Sequence, residues 1–223
     1  MRLFENLLPD TVSAAVARPP MWETPLGPDE EQFIATAGDK RKRDFRAGRH
    51  CAKAALGALG GPADAVIGVG ERRQPLWPPG YCGSISHTRG HCVAVAGRGE
   101  DYRAMGIDIE QATPLKEDVL HMICTPTERK ALSGVEKPLS WAKVIFSIKE
   151  AIYKAHYPLC GVFFGFQDAE VLLDARGGIF TASIDRQKDA LVFATQGSFA
   201  TDSEIVAAFV SVPARTPAAP GAT

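Results

Sequence analysis

Gly106-Ile107-Asp108-Ile109-Glu110 alternates apolar and acidic side chains, the period of a strand with one dry face and one wet one. Ile107 and Ile109 then face a core, and Asp108 and Glu110 project together from the other side. Carboxylates held side by side repel. A divalent cation relieves that repulsion, and Mg²⁺ takes carboxylate, phosphate and water oxygens. A second stretch, Phe146-Ser147-Ile148-Lys149-Glu150-Ala151-Ile152-Tyr153-Lys154, has helical period. Trp141, Ile145, Ile148 and Ile152 recur at i, i+4, i+7 and i+11 as a buried stripe. Glu150 lies opposite that stripe, with Lys154 one turn on; Lys149 points off this face. If the Glu150 face covers the acidic strand, Asp108, Glu110, Glu150 and Lys154 converge, a set able to hold a magnesium ion and a phosphate ester. Each stretch also has a plainer reading. An Asp-x-Glu strand is commonly a solvated face, and a Glu-Lys pair at i, i+4 is commonly a surface ion pair worth about 0.3–0.5 kcal/mol.

The whole chain bounds these readings. Its 223 residues suffice for one large domain or two small ones. A hydrophobic content of 45% with 23% charged residues is that of an ordinary globular protein. A formal net charge of -1 offers no global attraction to nucleic acid or acidic membranes, so an anion site must be a local cluster. Cys51, Cys82, Cys92, Cys124 and Cys160 are scattered, with no CxxC pair, and fit reduced thiols in a cytoplasm. Neither a signal peptide nor a membrane span is expected.

Residues 1–28, rich in proline, are expected to run extended beyond a short element near residues 3–8, and Pro28-Asp29-Glu30-Glu31 starts a helix. Residues 39–59 read as a helix with a basic run, Lys40-Arg41-Lys42-Arg43. A strand is expected at 65–70, then a stiff loop through Pro75-Leu76-Trp77-Pro78-Pro79-Gly80. Tyr81–Ala96 reads as a hairpin turning at Thr88-Arg89-Gly90, and Gly97–Asp101 as a polar boundary between two subdomains. His87 and His91 could face each other across that hairpin, but no third nitrogen or sulfur ligand lies nearby for a metal. Short helices are expected over 115–132 and a long one over 139–156, ending near Pro158. The rest of the chain to residue 212 reads as strands, and 213–223 as a disordered, low-complexity tail.

In this order, the two opening stretches resemble the signature motifs of the 4'-phosphopantetheinyl transferases, G-[IV]-D-[IV]-E and [FW]-[SC]-x-K-E-[AS]-x-x-K, and satisfy both. The resemblance covers roughly residues 40–175 and points to the larger monomeric group serving siderophore, polyketide and nonribosomal peptide synthesis. It implies an α+β fold of two similar halves about a pseudo-twofold axis, residues 1–103 and 104–212, with coenzyme A in the cleft between. It further implies that Arg41 and Arg49 hold the 3'-phosphate of coenzyme A. The loop carrying Arg72, Arg73 and Pro75 would line the adenine pocket. Ser86 and His87, in Ser84-Ile85-Ser86-His87, would contact cofactor phosphates, as would Lys154. Asp108, Glu110 and Glu150 would hold Mg²⁺, Asp108 also meeting the cofactor.

The implied reaction moves the 4'-phosphopantetheine arm to a serine of an acyl or peptidyl carrier protein and releases adenosine 3',5'-bisphosphate. Glu150 and Lys154 are the expected catalytic pair, Glu150 as general base, and Phe163-Phe164 is a candidate carrier-docking patch. Two other readings use the same residues: a magnesium-dependent nucleotide phosphohydrolase, and a non-catalytic coenzyme A- or carrier-binding module. A nucleic-acid binder resting on residues 40–49 is weakest, since aromatic interleaving and net positive charge are missing.

Overall fold

The computed structural model of the chain describes residues 2–62, 64–186 and 191–214. In chain order the elements are α1 (Arg2–Glu5), β1 (Ser13–Val16), α2 (Pro19–Glu23), α3 (Pro28–Glu31), α4 (Asp39–Ala58), β2 (Gly68–Val69), β3 (Pro75–Leu76), β4 (Tyr81–Thr88), β5 (His91–Arg98), β6 (Tyr102–Gln111), α5 (Leu120–Ile123), α6 (Pro126–Leu132), α7 (Pro138–Cys160), β7 (Ala169–Asp174), β8 (Ile179–Arg186), β9 (Leu191–Thr201) and β10 (Ile205–Pro213). The fold is α+β, as expected. Antiparallel strands form a three-stranded sheet in the order β1-β5-β4 and a five-stranded sheet in the order β6-β10-β9-β8-β7, with β2 and β3 paired apart from both.

Apolar side chains fill three successive spaces. Ala47, Cys51 and Leu56 of α4 pack on Cys92 and Ala94 of β5. The alternate residues of β5, Val93 and Val95, face Ile107 and Ile109 of β6 and Phe209 of β10. On the far side of the second sheet, Ile145, Ile148 and Ile152 of α7 meet Phe180, Ile184 and Val206. The chain thus stacks helix, sheet, sheet, helix, and strict alternation along β5 and β10 lets each sheet bury both faces.

That stacking changes the reading of the acidic strand. Ile107 and Ile109 do face a core, but the other side of β6 is not wet: α7 covers it, and Asp108 is 4% exposed. Gly106 explains the approach. A Cβ there would lie 1.9 Å from the Ala151 carbonyl oxygen and 2.8 Å from the Ala155 nitrogen, so only glycine lets the α7 backbone rest on β6. The two sheets also meet along β4 and β6, where the Ser86 hydroxyl accepts the Ile109 amide at 3.1 Å, much as a strand carbonyl would.

Other expectations need correction. The proline-rich start is not extended throughout. Ser13–Val16 joins the first sheet against β5, and Pro19-Pro20 begin α2, where proline's fixed φ and missing N–H cost nothing. The strand expected at 65–70 shrinks to Gly68–Val69. The long helix does not stop at Pro158. It runs to Cys160, because a proline in the last turn removes one donor only, and Gly161, at φ 66°, closes the helix through its amide on Tyr157 O. The tail expected from 213 begins with Pro213 in β10, and residues 215–223 lie outside the described residues.

Candidate active site

The seating of α7 on β6 brings Lys154 over Asp108. Lys154 Nζ donates to Asp108 Oδ1 at 2.7 Å, to Ser86 Oγ at 3.1 Å and to Ile107 O at 3.2 Å. Ser86 Oγ donates to the same Asp108 oxygen at 3.0 Å. One motif residue from each of β4, β6 and α7 therefore meets at a point. Asp108 Oδ2 is buried and, among the described residues, has no hydrogen-bond partner.

Glu110 and Glu150 flank this cluster. Burial pushes the Glu110 carboxyl above its ordinary value and the charge of Asp108 adds to that, while Lys143, 3.6 Å from Glu110 Oε2, pulls it back. Burial likewise raises Glu150, against the pull of Lys154, with Asp108 and Glu110 adding to the rise. The three carboxylates thus lie within one another's field. They do not close into a ready cage: among the described residues no three His, Cys, Asp or Glu side chains are grouped as metal ligands. Lys154 on Asp108 and Lys143 on Glu110 provide the compensating charge instead. The donor chemistry nevertheless suits a hard cation. All three are carboxylates, and the buried Oδ2 of Asp108 is an oxygen still in need of a positive partner.

A cleft of about 500 Å³ opens beside the cluster, and Glu150 and Lys154 form part of its wall together with Arg72, Arg73 and Pro75. Arg73 holds φ 66°, uncommon for a residue with a Cβ, at the tip of the β2–β3 hairpin, where its amide bonds Gly70 O. Both arginines expected from this loop therefore face the same space. Trp77, Arg103, Tyr153 and Tyr157 line it too, and the sequence reading passed over them. Tyr153 and Tyr157 had a signal, since they continue the Glu150 face at helical spacing. Arg103 had none.

The remaining expected residues divide. His87 Nδ1 stands 3.8 Å from Asp44 Oδ2. Burial lowers its pKa, and Lys154, Arg41 and Lys40 push the same way against Asp44. Arg41 is exposed and shares this electropositive neighbourhood with His87. Arg49 is 5% exposed; its guanidinium donates to Ile67 O at 2.8 Å and Gly68 O at 2.9 Å and covers the Phe45 ring. It ties α4 to the strand leading into the Arg72-Arg73 hairpin. Burial brings its pKa down to about 10. Phe163 and Phe164 also part company, at 63% and 4% exposed, so only the first is surface.

Comparison with known proteins agrees with this arrangement. Residues 29–97 match the model of the 4'-phosphopantetheinyl transferase N-terminal domain, and residues 104–210 that of the 4'-phosphopantetheinyl transferase superfamily. The chain is 38% identical to 4'-phosphopantetheinyl transferase Npt of Nocardia iowensis over 79% of both chains. It is 40% identical to 4'-phosphopantetheinyl transferase Svp of Streptomyces mobaraensis over 71% of this chain and 65% of that one. It is 36% identical to 4'-phosphopantetheinyl transferase PptT of Mycobacterium tuberculosis over 77% and 78% respectively. Likeness of this extent, running through both signature segments and the strands and helix that bring them together, means that the chain belongs to the 4'-phosphopantetheinyl transferase superfamily.

Proposed function

We propose that this enzyme transfers the 4'-phosphopantetheine arm of coenzyme A to a serine of an acyl or peptidyl carrier protein. The observation that carries the reading is the meeting of Ser86, Asp108 and Lys154 at the wall of a cleft also lined by Glu150 and two arginines. Membership in the superfamily supports it.

Phosphoryl transfer asks a protein mainly for position and charge. Arg72 and Arg73 suit phosphate oxygens, because a planar guanidinium donates two hydrogen bonds at once. Arg41 and His87 extend the positive surface beyond the Ser86 end. Lys154 holds Asp108 in place and presents its ammonium to the cleft. Glu150, whose proton affinity is raised by burial, is the group placed to take the proton of the carrier serine. The serine oxygen bonds the phosphorus that carries the pantetheine arm. The bridging phosphorus–oxygen bond breaks, and adenosine 3',5'-bisphosphate leaves with the electron pair. Mg²⁺ held by Asp108, Glu110 and Glu150 would supply positive charge opposite the departing oxygens.

Residues 1–103 would then supply most of the phosphate contacts, and residues 104–212 the carboxylates and the carrier-facing surface. We take the enzyme to act as a monomer in the cytoplasm, where its five unpaired cysteines stay reduced. No helix among the described residues is long and apolar enough to cross a membrane.

The test is incubation with coenzyme A, Mg²⁺ and an apo-carrier protein, read by intact mass. A carrier heavier by one phosphopantetheine arm is the expected result. Free bisphosphate with an unmodified carrier would point to the phosphohydrolase, and binding of coenzyme A without turnover to a non-catalytic module.

A further inference from the structure

Lys149, next to Glu150 on α7, makes no contact with the cleft cluster, yet it is 2% exposed and fully bonded. Its ammonium donates to Ile123 O, Glu128 Oε2 and Phe166 O, each at 2.8 Å. Glu128 is 3% exposed and carries the connections further. Its Oε2 also accepts the Thr125 amide at 2.7 Å, and its Oε1 accepts the Val171 amide at 2.8 Å. One buried ion pair thus gathers the end of α5, the start of α6, the turn before β7 and β7 itself onto one turn of α7.

That turn matters because of what stands beside it. A second cavity of about 210 Å³ is bounded by Glu150 and Tyr153 on one side and by Phe163, Phe164 and Phe166 on the other. The phenylalanine segment is irregular chain, joined to α7 only through Gly161. Apolar packing of Phe146 against Phe166 and of Tyr153 against Phe163 and Phe164 holds its rings. Its backbone is held to α7 by the Lys149 bond to Phe166 O.

We infer that Lys149 is a positioning residue for the transfer reaction: through Glu128 and the Phe166 carbonyl it fixes the 163–166 wall opposite Glu150 and so sets where that carboxylate meets the reacting groups. This rests on the proposed transferase reading. A buried pair of this kind contributes little net stability but imposes one arrangement, since a half-broken network leaves an uncompensated charge in a dry site.

The test uses the full-length enzyme with coenzyme A and carrier, in two variants. Lys149→Met leaves Glu128 charged and buried, and is expected to melt lower. Lys149→Met with Glu128→Gln removes both charges, and is expected to recover most of the melting temperature but not the rate. In the double variant kcat should fall about tenfold per active molecule, with KM for coenzyme A within about twofold, because the Arg72-Arg73 wall is untouched. A double variant with kcat within about twofold of the parent, or a loss explained wholly by fewer active molecules, overturns the inference. Hydrogen exchange on the unaltered protein is an independent check. Residues 166–171 should exchange nearly as slowly as the middle of α7, and loop-like exchange there overturns the inference even if neither variant folds. Absence of transfer by the unaltered enzyme would instead count against the transferase reading, and the exchange result would still judge the network.

Discussion

Gly106 and Ala151 are in backbone contact: the space a Cβ would need on the strand is taken by the helix carbonyl. The site depends on this closeness, because Lys154 and Glu150 reach Asp108 only from a helix resting directly on β6. Gly106→Ala is expected to push α7 outward, lowering stability by about 1–3 kcal/mol as overpacking does and reducing transfer out of proportion to that loss. Urea unfolding alongside the carrier mass assay checks both. Unchanged activity would mean the contact is not needed for the site.

Lys154 and Asp108 form an ion pair with side chains 28% and 5% exposed. Removing the lysine strands a charge that is almost wholly buried. Lys154→Met is expected to destabilise by about 3 kcal/mol and to abolish transfer. Adding Asp108→Asn to it should restore much of the stability and none of the activity. Chemical denaturation of the two single variants and the double one measures the coupling directly.

Glu110 and Glu150 bind their protons more tightly in the folded chain than at the ordinary glutamate value of 4.5, chiefly through burial. A raised carboxyl favours the folded state below the unfolded pKa, and that contribution is lost as pH rises through the folded pKa. Glu150→Gln mimics the protonated form. It should therefore melt above the parent enzyme at neutral pH, with the difference shrinking toward pH 4.5, while transfer is lost. In thermal melts over a pH series, a variant that melts lower at neutral pH would contradict this. Added Mg²⁺ should raise the melting temperature of the parent more than that of the variant.

Arg41 and Arg49 lie on the same helix in opposite circumstances. Arg49→Met removes charge-assisted bonds to two carbonyls and is expected to cost about 2–3 kcal/mol. Arg41→Ala lies at the surface and should leave stability within about 0.5 kcal/mol while raising KM for coenzyme A. Melting temperatures and coenzyme A titrations separate the two roles.

How far the sequence could be read follows from where its periodicities are local. The α+β class, α4, the β4–β5 hairpin with its turn at Arg89-Gly90 and the strands after residue 165 are set by patterns a few residues long. The meeting of Asp108 with Lys154 was legible for the same reason, since strand and helix each announce a face. Layering was not legible: alternation in 106–110 shows two faces but not that α7 covers the second, and only Gly106 hints at it. Arg49 was assigned to a phosphate because arginine on a basic helix looks alike whether it meets solvent or the carbonyls of Ile67 and Gly68. Lys149 was rightly left off the Glu150 face, but its three bonds come from segments distant in sequence, which no spacing rule encodes.

The hydroxyl of Ser86 joins strands of two different sheets and at the same time grips the carboxylate of Asp108. Widening the gap between those sheets would therefore dismantle the chemistry in the same movement. The seam and the reacting groups share one hinge pin, so admission of a bulky reactant must come from the peripheral hairpin and the phenylalanine wall, with the centre staying shut.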